Sequence, residues 1–143
     1  MLSFSAAFLA AVLSAPVALV TLVHDTATKD KTFTVILVDC ESEFRPGAVG
    51  INRDARGRIT SRDWSLFQIN DRFHDPHWRD LAGHVEYGAA LVDFLLVKNG
   101  RDYVRTVAEY NTGSAASAKG QRWGRAVIAR YAVVERAARG LLR

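Results

Sequence analysis

Hydrophobic residues open the chain in one continuous block. Residues 5–23, SAAFLAAVLSAPVALVTLV, contain 19 positions and no charged side chain. A helix of that length rises about 28 Å, close to the thickness of the hydrocarbon core of a bilayer. No Lys or Arg precedes the block, and it is long for the core of a secretion signal, which favours a retained transmembrane helix over a cleaved signal. The pattern therefore predicts a membrane anchor, or alternatively a signal segment, over residues 1–26.

The second apolar run, residues 33–40, has a spacing that suits a helix or a strand and stops near Pro46. A polar stretch over residues 50–63 follows, in which Ile51 and Ile59 flank an Arg-Gly turn. Apolar residues on either side of a turn are typical of a β-hairpin, so we expect a small hairpin in this stretch.

The second half of the chain has helical spacing. Apolar residues at Val85, Ala89, Val92 and Leu96 predict a helix over residues 80–98, and its broad apolar face makes it a central, buried one. Shorter patterns predict two more helices, over residues 101–110 and 122–142. Residues 27–143 are therefore expected to form one mainly α domain with a small hairpin.

Composition and charge narrow the choice of partners. The chain has 143 residues, of which 49% are hydrophobic and 24% charged, enough for one domain with a core. Its net charge of +4 suits an anionic partner, although the arginines near the C-terminus are typical of a solvated helix face. No zinc-finger spacing, aromatic RNA-binding signature or long basic run indicates nucleic acid. The single cysteine, Cys40, excludes an intramolecular disulfide and fits a buried small side chain.

A glutamate at the end of the second apolar run is the first candidate for chemistry. If this run is a helix, Glu41 shares a face with Leu37 and Val38, whereas Glu43 lies on a more polar side. An apolar niche disfavours the charged carboxylate and raises its pKa, as a general acid working near neutral pH requires. The alternative is an ion pair at the helix end between Glu41 and Arg45. The spacing alone leaves both interpretations open.

Three short motifs favour the interpretation of Glu41 as a general acid. ESEFRPGAVG, DWSLFQIN and AEYNTG occur in that order, and residues 35–131 resemble the lysozyme-like lytic transglycosylases. The likeness is closest to the small specialised members of secretion systems, conjugative pili and phage particles. The matching positions are Glu41, Ser42, Phe44, Pro46 and Ala48; Leu66, Phe67, Gln68, Ile69 and Asn70; and Ala108, Tyr110, Asn111 and Gly113.

The resemblance implies a fold, an activity and a set of site residues. It implies a mainly α, lysozyme-like α+β domain with a small β region and a cleft between two lobes, which we place over residues 27–143, after the transmembrane helix that the apolar block predicts. It implies that Glu41 is the catalytic acid of an enzyme that cuts the MurNAc-GlcNAc β-1,4 bond of peptidoglycan. Ser65 departs from the family, which usually has glycine there. The substrate-binding residues implied are Ser42, Gln68, Asn70, Tyr110 and Asn111.

The need for a second carboxylate separates two mechanisms. Hydrolases of the hen lysozyme type use a second carboxylate beside the catalytic acid. Lytic transglycosylases resemble the substrate-assisted exceptions, in which the N-acetyl group of the sugar attacks and one glutamate serves as acid and then as base. Asp63 is the candidate second carboxylate, five positions before Gln68. It either takes part in the chemistry or forms hydrogen bonds within the hairpin.

The remaining polar and aromatic candidates are less specific. Gln68 and Asn111 either hold the amide and hydroxyl groups of the sugar or bond internally, and Tyr110 either orients Glu41 or belongs to the core. Three tryptophans either stack on sugars or pack in the core, and the histidines form no metal-ligand spacing, so we expect neither metal nor cofactor. These residues are Trp64, Trp78, Trp123, His74, His77 and His84.

The sequence therefore supports a leading hypothesis and two alternatives. The leading one is a membrane-anchored lytic transglycosylase that opens the cell wall locally from the periplasmic side, for a virion, a pilus or a secretion assembly. The alternatives are a lysozyme-type hydrolase of the same bond, and an inactive glycan-binding component of a virion or secretion complex. The expected partners are glycan strands and the membrane, with no nucleic acid.

Overall fold

The computed structural model describes residues 3–75 and 80–141. Within them the chain forms six helices and one three-stranded antiparallel sheet, so the mainly helical class and the hairpin predicted from the sequence are confirmed. In chain order the elements are α1 Ala6–Leu13, α2 Val17–Thr26, α3 Lys31–Ser42, β1 Val49–Arg53, β2 Ile59–Trp64, β3 Ile69–Asn70, α4 Leu81–Lys98, α5 Tyr103–Thr112 and α6 Ala118–Leu141.

The prediction of an N-terminal transmembrane helix is wrong. The uncharged block forms two short helices, because Ser14 takes a left-handed conformation with φ 54° and Pro16, which cannot continue a helix, begins the next one. In the described ranges, 3–75 and 80–141, no helix has the length and hydropathy needed to cross a membrane. One face of each helix instead packs on the protein core, where Leu9, Val20 and Val23 are fully buried.

Helix α3 carries the second apolar run into the centre of the molecule. Asp30 begins it by accepting a hydrogen bond from the Phe33 N–H, and the segment from Phe33 to Val38 is fully buried. The helix ends at Ser42, since Glu43 and Phe44 both have left-handed φ values of 52° and 55°. Glu41 therefore lies in the last turn of a buried helix.

The sheet has the strand order β1-β2-β3. Its register pairs Gly50 with Asp63 and Asn52 with Ser61, and then Asp63 with Asn70 across the next pair of strands. Directly paired residues and alternate residues of a strand share a face of the sheet. The side chains of Asn52, Ser61, Asp63 and Asn70 therefore lie on the same side, with Gly50 beside them. That side faces the cleft described below.

Helices α4, α5 and α6 complete the body of the protein. Asp80 and Asp102 begin α4 and α5 as N-caps, close to the starts predicted from the sequence, and Gly113 ends α5 with φ 73°. Helix α6 begins four residues before the predicted position. The close packing of α6 on α5 depends on Gly120 and Gly124, where an added methyl group would lie within 3 Å of α5 backbone atoms.

Candidate active site

A cleft of about 410 Å³ lies between the sheet and the ends of the helices. Residues from α3, all three strands, α4, α5 and α6 line it, so every layer of the fold except α1 and α2 contributes. Six of the residues selected from the sequence meet there, although they are spread over 71 positions of the chain: Glu41, Asp63, Gln68, Asn70, Tyr110 and Asn111.

Glu41 presents its carboxyl group to this cleft from the end of α3. The side chain is half-buried, and its Oε1 accepts a hydrogen bond of 2.9 Å from the Trp123 indole Nε1. Burial raises the pKa of Glu41 from 4.5 to about 7, the hydrogen bond from Trp123 opposes this rise, and the negative charge of Asp63 adds to it. The group is thus partly protonated near neutral pH, as proton donation to a substrate requires.

The alternative ion pair between Glu41 and Arg45 is not formed in the described part of the chain. Arg45 turns back to donate from Nε to the Ser42 carbonyl at 3.0 Å, and its nearest carboxylate is that of Glu43 at 3.9 Å. The Glu43 side chain is 78% exposed. Of the two neighbouring glutamates, the structure therefore places Glu41 in the cleft and Glu43 in solvent.

Asp63 faces the cleft from β2 and is held by two amides. Asn52 Nδ2 donates to its Oδ2 at 2.8 Å, and Asn70 Nδ2 donates to its Oδ1 at 2.7 Å. Both oxygens of Asp63 are therefore fixed by neutral donors, and its charge acts on Glu41 across the cleft. The hydrogen bond from Asn52 lies within the hairpin, as one of the two interpretations of Asp63 expected, and Asp63 also lines the cleft.

Gln68 lies in the tight loop between β2 and β3. Its Nε2 donates to the carbonyls of Ser65 at 2.8 Å and Ala48 at 3.2 Å. With the amide nitrogen so oriented, the oxygen Oε1 points toward Gly50, where an added methyl group would lie 3.1 Å from it. Gly50 thus leaves space beside Gln68 Oε1 and the Asp63 carboxylate, both of which belong to residues that line the cleft.

Tyr110 and Asn111 approach the cleft from α5. The Tyr110 hydroxyl donates to the Phe67 carbonyl, and burial, followed by the charges of Glu41 and Asp63, raises its pKa well above the usual value. Tyr110 therefore supports the loop that carries Gln68 instead of donating directly to Glu41. Asn111 is exposed, and its side-chain amide makes no hydrogen bond with any other described residue, which leaves it available to a substrate.

The two serines in the motifs have structural positions. Ser42 is buried and donates to the Val38 carbonyl, and it lies outside the cleft, unlike the other predicted substrate-binding residues. Ser65, at the position where the resembling family has glycine, has a left-handed φ of 60°. Glycine adopts that conformation at no steric cost, so a serine in place of glycine adds local backbone strain here.

The remaining aromatic candidates separate into different roles. Trp123 contacts Glu41, while the Trp64 indole donates to Asp71 at 3.2 Å, and Trp78 and His77 lie outside the described residues. His74 forms a 2.7 Å hydrogen bond with the Tyr87 hydroxyl. In the part of the chain that the structure describes, no group of three or more His, Cys, Asp or Glu is arranged to hold a metal ion.

Several contributors to the cleft were missed in the sequence. Asn52 and Ser61 lie beside Asp63, and strand alternation within residues 50–63 was the signal that places them on the same face. Phe73, 75% exposed, and Lys119 also line the cleft. No local pattern links Trp123 to Glu41, since 82 positions separate them and the contact exists only in the folded chain.

A comparison of the chain with protein-family models, with curated proteins and with solved structures found no match in any of the three.

Proposed function

We propose that the protein is a peptidoglycan lytic transglycosylase in which Glu41 serves as acid and then as base. One observation carries the proposal: a carboxyl group with a pKa of about 7 lies in a cleft whose lining combines amide and hydroxyl side chains with the charged side chains of Asp63, Arg72, Glu109 and Lys119. A protonated acid beside amide and hydroxyl groups is suited to the glycosidic oxygens and acetamido groups of a glycan strand. The three sequence motifs support the same assignment.

The proposed reaction uses the carboxyl group of Glu41 twice. Glu41 donates it to the oxygen of the MurNAc-GlcNAc bond, and the acetamido oxygen of the MurNAc attacks C1 as that bond breaks. The Glu41 carboxylate then removes the proton of the C6 hydroxyl, whose oxygen displaces the acetamido group from C1. The products are a free GlcNAc end and a 1,6-anhydro ring, and no water is consumed.

Asp63 is the observation that favours a second candidate function. A carboxylate held by two neutral amides beside a carboxyl group of raised pKa is the arrangement used by lysozyme-type hydrolases. In that mechanism Asp63 stabilises the positive charge of the sugar, and water completes the cleavage. Hydrolysis of the same bond is thus the alternative activity.

Zymography on murein tests the activity itself. We expect a clearing band for the unaltered protein and a loss of about 10²–10⁴-fold in Glu41→Gln, because removal of a general acid costs that much. Glu43→Gln is the matched control, since it makes the same change two residues away on an exposed side chain, and its band should be unchanged. A Glu41→Gln variant that clears murein as well as the control does would refute the proposal.

Mass spectrometry of the products separates the two activities. Transglycosylation gives fragments with a 1,6-anhydro end, whereas hydrolysis gives fragments one water heavier with a reducing end. Asp63→Asn should leave the anhydro product in place under the first mechanism and abolish turnover under the second. Retained binding to murein without any product from the unaltered protein would instead indicate a glycan-binding component.

A further inference from the structure

We propose that His84 is a positioning residue, which fixes the loop of residues 65–68 and thereby the sheet side of the cleft relative to Glu41. The proposal rests on the function proposed above and concerns a residue that the sequence motifs do not include. It follows from how the sheet is attached to the helices, and from the hydrogen bonds that meet at one peptide group.

The sheet has little direct support from the helices. None of the described strands packs extensively against a helix, and the apolar side chains of Val49, Ile51 and Ile59 are about half exposed. The loop between β2 and β3 provides an attachment instead, because Leu66 and Phe67 are both fully buried in the core. The position of the sheet relative to α3 therefore depends on how firmly this loop is held.

Helices α4 and α5 hold the loop at Phe67. The Phe67 N–H donates to His84 Nε2 at 3.1 Å, and the Phe67 carbonyl accepts from the Tyr110 hydroxyl. The Phe67 and His84 rings also meet edge to face, with centroids 5.8 Å apart. Gly88, one turn further along α4, makes room for the Phe67 ring, since an added methyl group would lie 2.3 Å from its Cγ.

The loop needs this support because its backbone is strained. Ser65 and Gln68, on either side of the buried pair, both have left-handed φ values, 60° and 47°, which cost non-glycine residues energy. The loop leads directly into Ile69–Asn70, which pairs with the strand of Asp63. A shift at Phe67 is therefore passed to Gln68, Asn70 and Asp63, while Glu41 stays fixed on α3.

His84 is suited to act as an acceptor throughout the range in which Glu41 works. It is 1% exposed, and burial lowers its pKa to about 4. The imidazole is thus neutral near pH 7, so Nε2 keeps the lone pair that receives the Phe67 N–H. A glutamine at this position places an acceptor at a similar distance along the side chain, whereas a leucine fills the same space without one.

Steady-state kinetics on soluble GlcNAc-MurNAc strands, with His84→Leu, His84→Gln and the unaltered protein, test the proposal. We expect His84→Leu to lower kcat by about 10–100-fold with KM within threefold, since a shift near 1 Å between acid and substrate costs that much. His84→Gln should recover kcat to within about threefold. Thr106→Val, which removes a buried hydroxyl that donates to the Asp102 carbonyl at 2.8 Å and to the Leu95 carbonyl at 3.5 Å, controls for a general loss of stability.

The outcomes separate this proposal from the proposed function. If the unaltered protein cuts strands and Glu41→Gln does not, the function stands, and a folded His84→Leu with the kcat of Thr106→Val would overturn the positioning role. His84→Gln as slow as His84→Leu would do the same. If His84→Leu does not fold, His84→Asn, whose amide is one bond too short to replace Nε2 as the acceptor, takes its place: a kcat equal to that of Thr106→Val overturns the role and a kcat loss supports it. An unaltered protein without turnover would reject the proposed function instead.

Discussion

Three influences set the pKa of Glu41, and two of them can be removed by single substitutions. Burial is the largest and raises the pKa, the hydrogen bond from Trp123 lowers it, and the charge of Asp63 raises it. Each of these two side chains touches or faces the carboxyl group without being the proton donor. Changing them one at a time therefore moves the same titration in opposite directions.

The pH profile of kcat/KM provides the corresponding measurement. Activity should fall as pH rises through about 7, because the acid loses its proton there. Asp63→Asn removes a negative charge, so the falling limb should move to lower pH; Trp123→Phe removes a hydrogen bond to the carboxylate, so the limb should move to higher pH. Limbs that move in the same direction in both variants, or stay in place, would show that Glu41 does not control the profile.

At this scale the sequence predicted six residues of the cleft and missed the contact of Trp123 with Glu41. Glu41, Gln68 and Asn111 were selected from motifs, and the structure brings them together. Ser42 was selected because it matches the motif that contains Glu41, but consecutive helical residues point in different directions, and its side chain turns into the core. Side-chain partners such as Trp123 depend on tertiary packing, which no local spacing encodes.

At the scale of elements, the N-terminal block shows how a single turn changes an interpretation. Composition alone made residues 5–23 one apolar helix, but Ser14 and Pro16 divide it into α1 and α2. The two helices are apolar because they cover α3, and Leu9 and Val20 are as buried as the residues of α3 itself. A hydrophobicity count does not separate a core helix from a membrane helix when a helix-breaking residue stands inside the window.

Packing of the N-terminal helices has a measurable consequence for stability. Leu9→Ala should lower the free energy of unfolding by about 2–5 kcal/mol, the usual cost of a cavity at a fully buried leucine. Val17→Ala, at a side chain 57% exposed on α2, is the control and should change it by less than about 0.5 kcal/mol. Urea unfolding followed by circular dichroism measures both. Equal, small effects would mean that α1 is not part of the cooperative core.

The hairpin, by contrast, was predictable because its signals are local. Ile51 and Ile59 flank the turn as expected, and strand alternation accounts for the cleft-facing set. The third strand, Ile69–Asn70, is too short to show any alternation of its own. Its pairing with β2 follows from the position of the buried Phe67, which is a property of the folded chain.

At the scale of the whole molecule, a buried acid opposes folding once it ionises. The pKa of Glu41 is about 7 in the folded protein and 4.5 in the unfolded reference, so the folded state holds the proton more tightly. Below pH 4.5 both states are protonated and the group has no effect. Between pH 4.5 and 7 the free energy of unfolding declines, and above pH 7 the decline is complete.

Glu41→Gln should therefore stabilise the protein in a pH-dependent way. The gain should be absent near pH 4.5 and reach about 1–3 kcal/mol above pH 7, less than full conversion of the shift because the carboxyl group keeps contact with the water of the cleft. Urea unfolding at pH 4.5, 6 and 7.5 measures it, with Glu43→Gln as the flat reference. A gain that is the same at all three pH values would contradict the buried, raised pKa.

The contact between Trp123 and Glu41 allows the fluorescence of Trp123 to report the ionisation of Glu41. An indole whose N–H is hydrogen-bonded to a carboxyl oxygen changes its fluorescence emission when that carboxyl group gains or loses a proton. The emission of Trp123 therefore reports the ionisation of Glu41 without any glycan present. The chain has three tryptophans, and replacing Trp64 and Trp78 with phenylalanine isolates the signal. Quenching that develops around pH 7 and disappears in Glu41→Gln would thus reveal the state of the acid in the resting molecule, before any bond is cut.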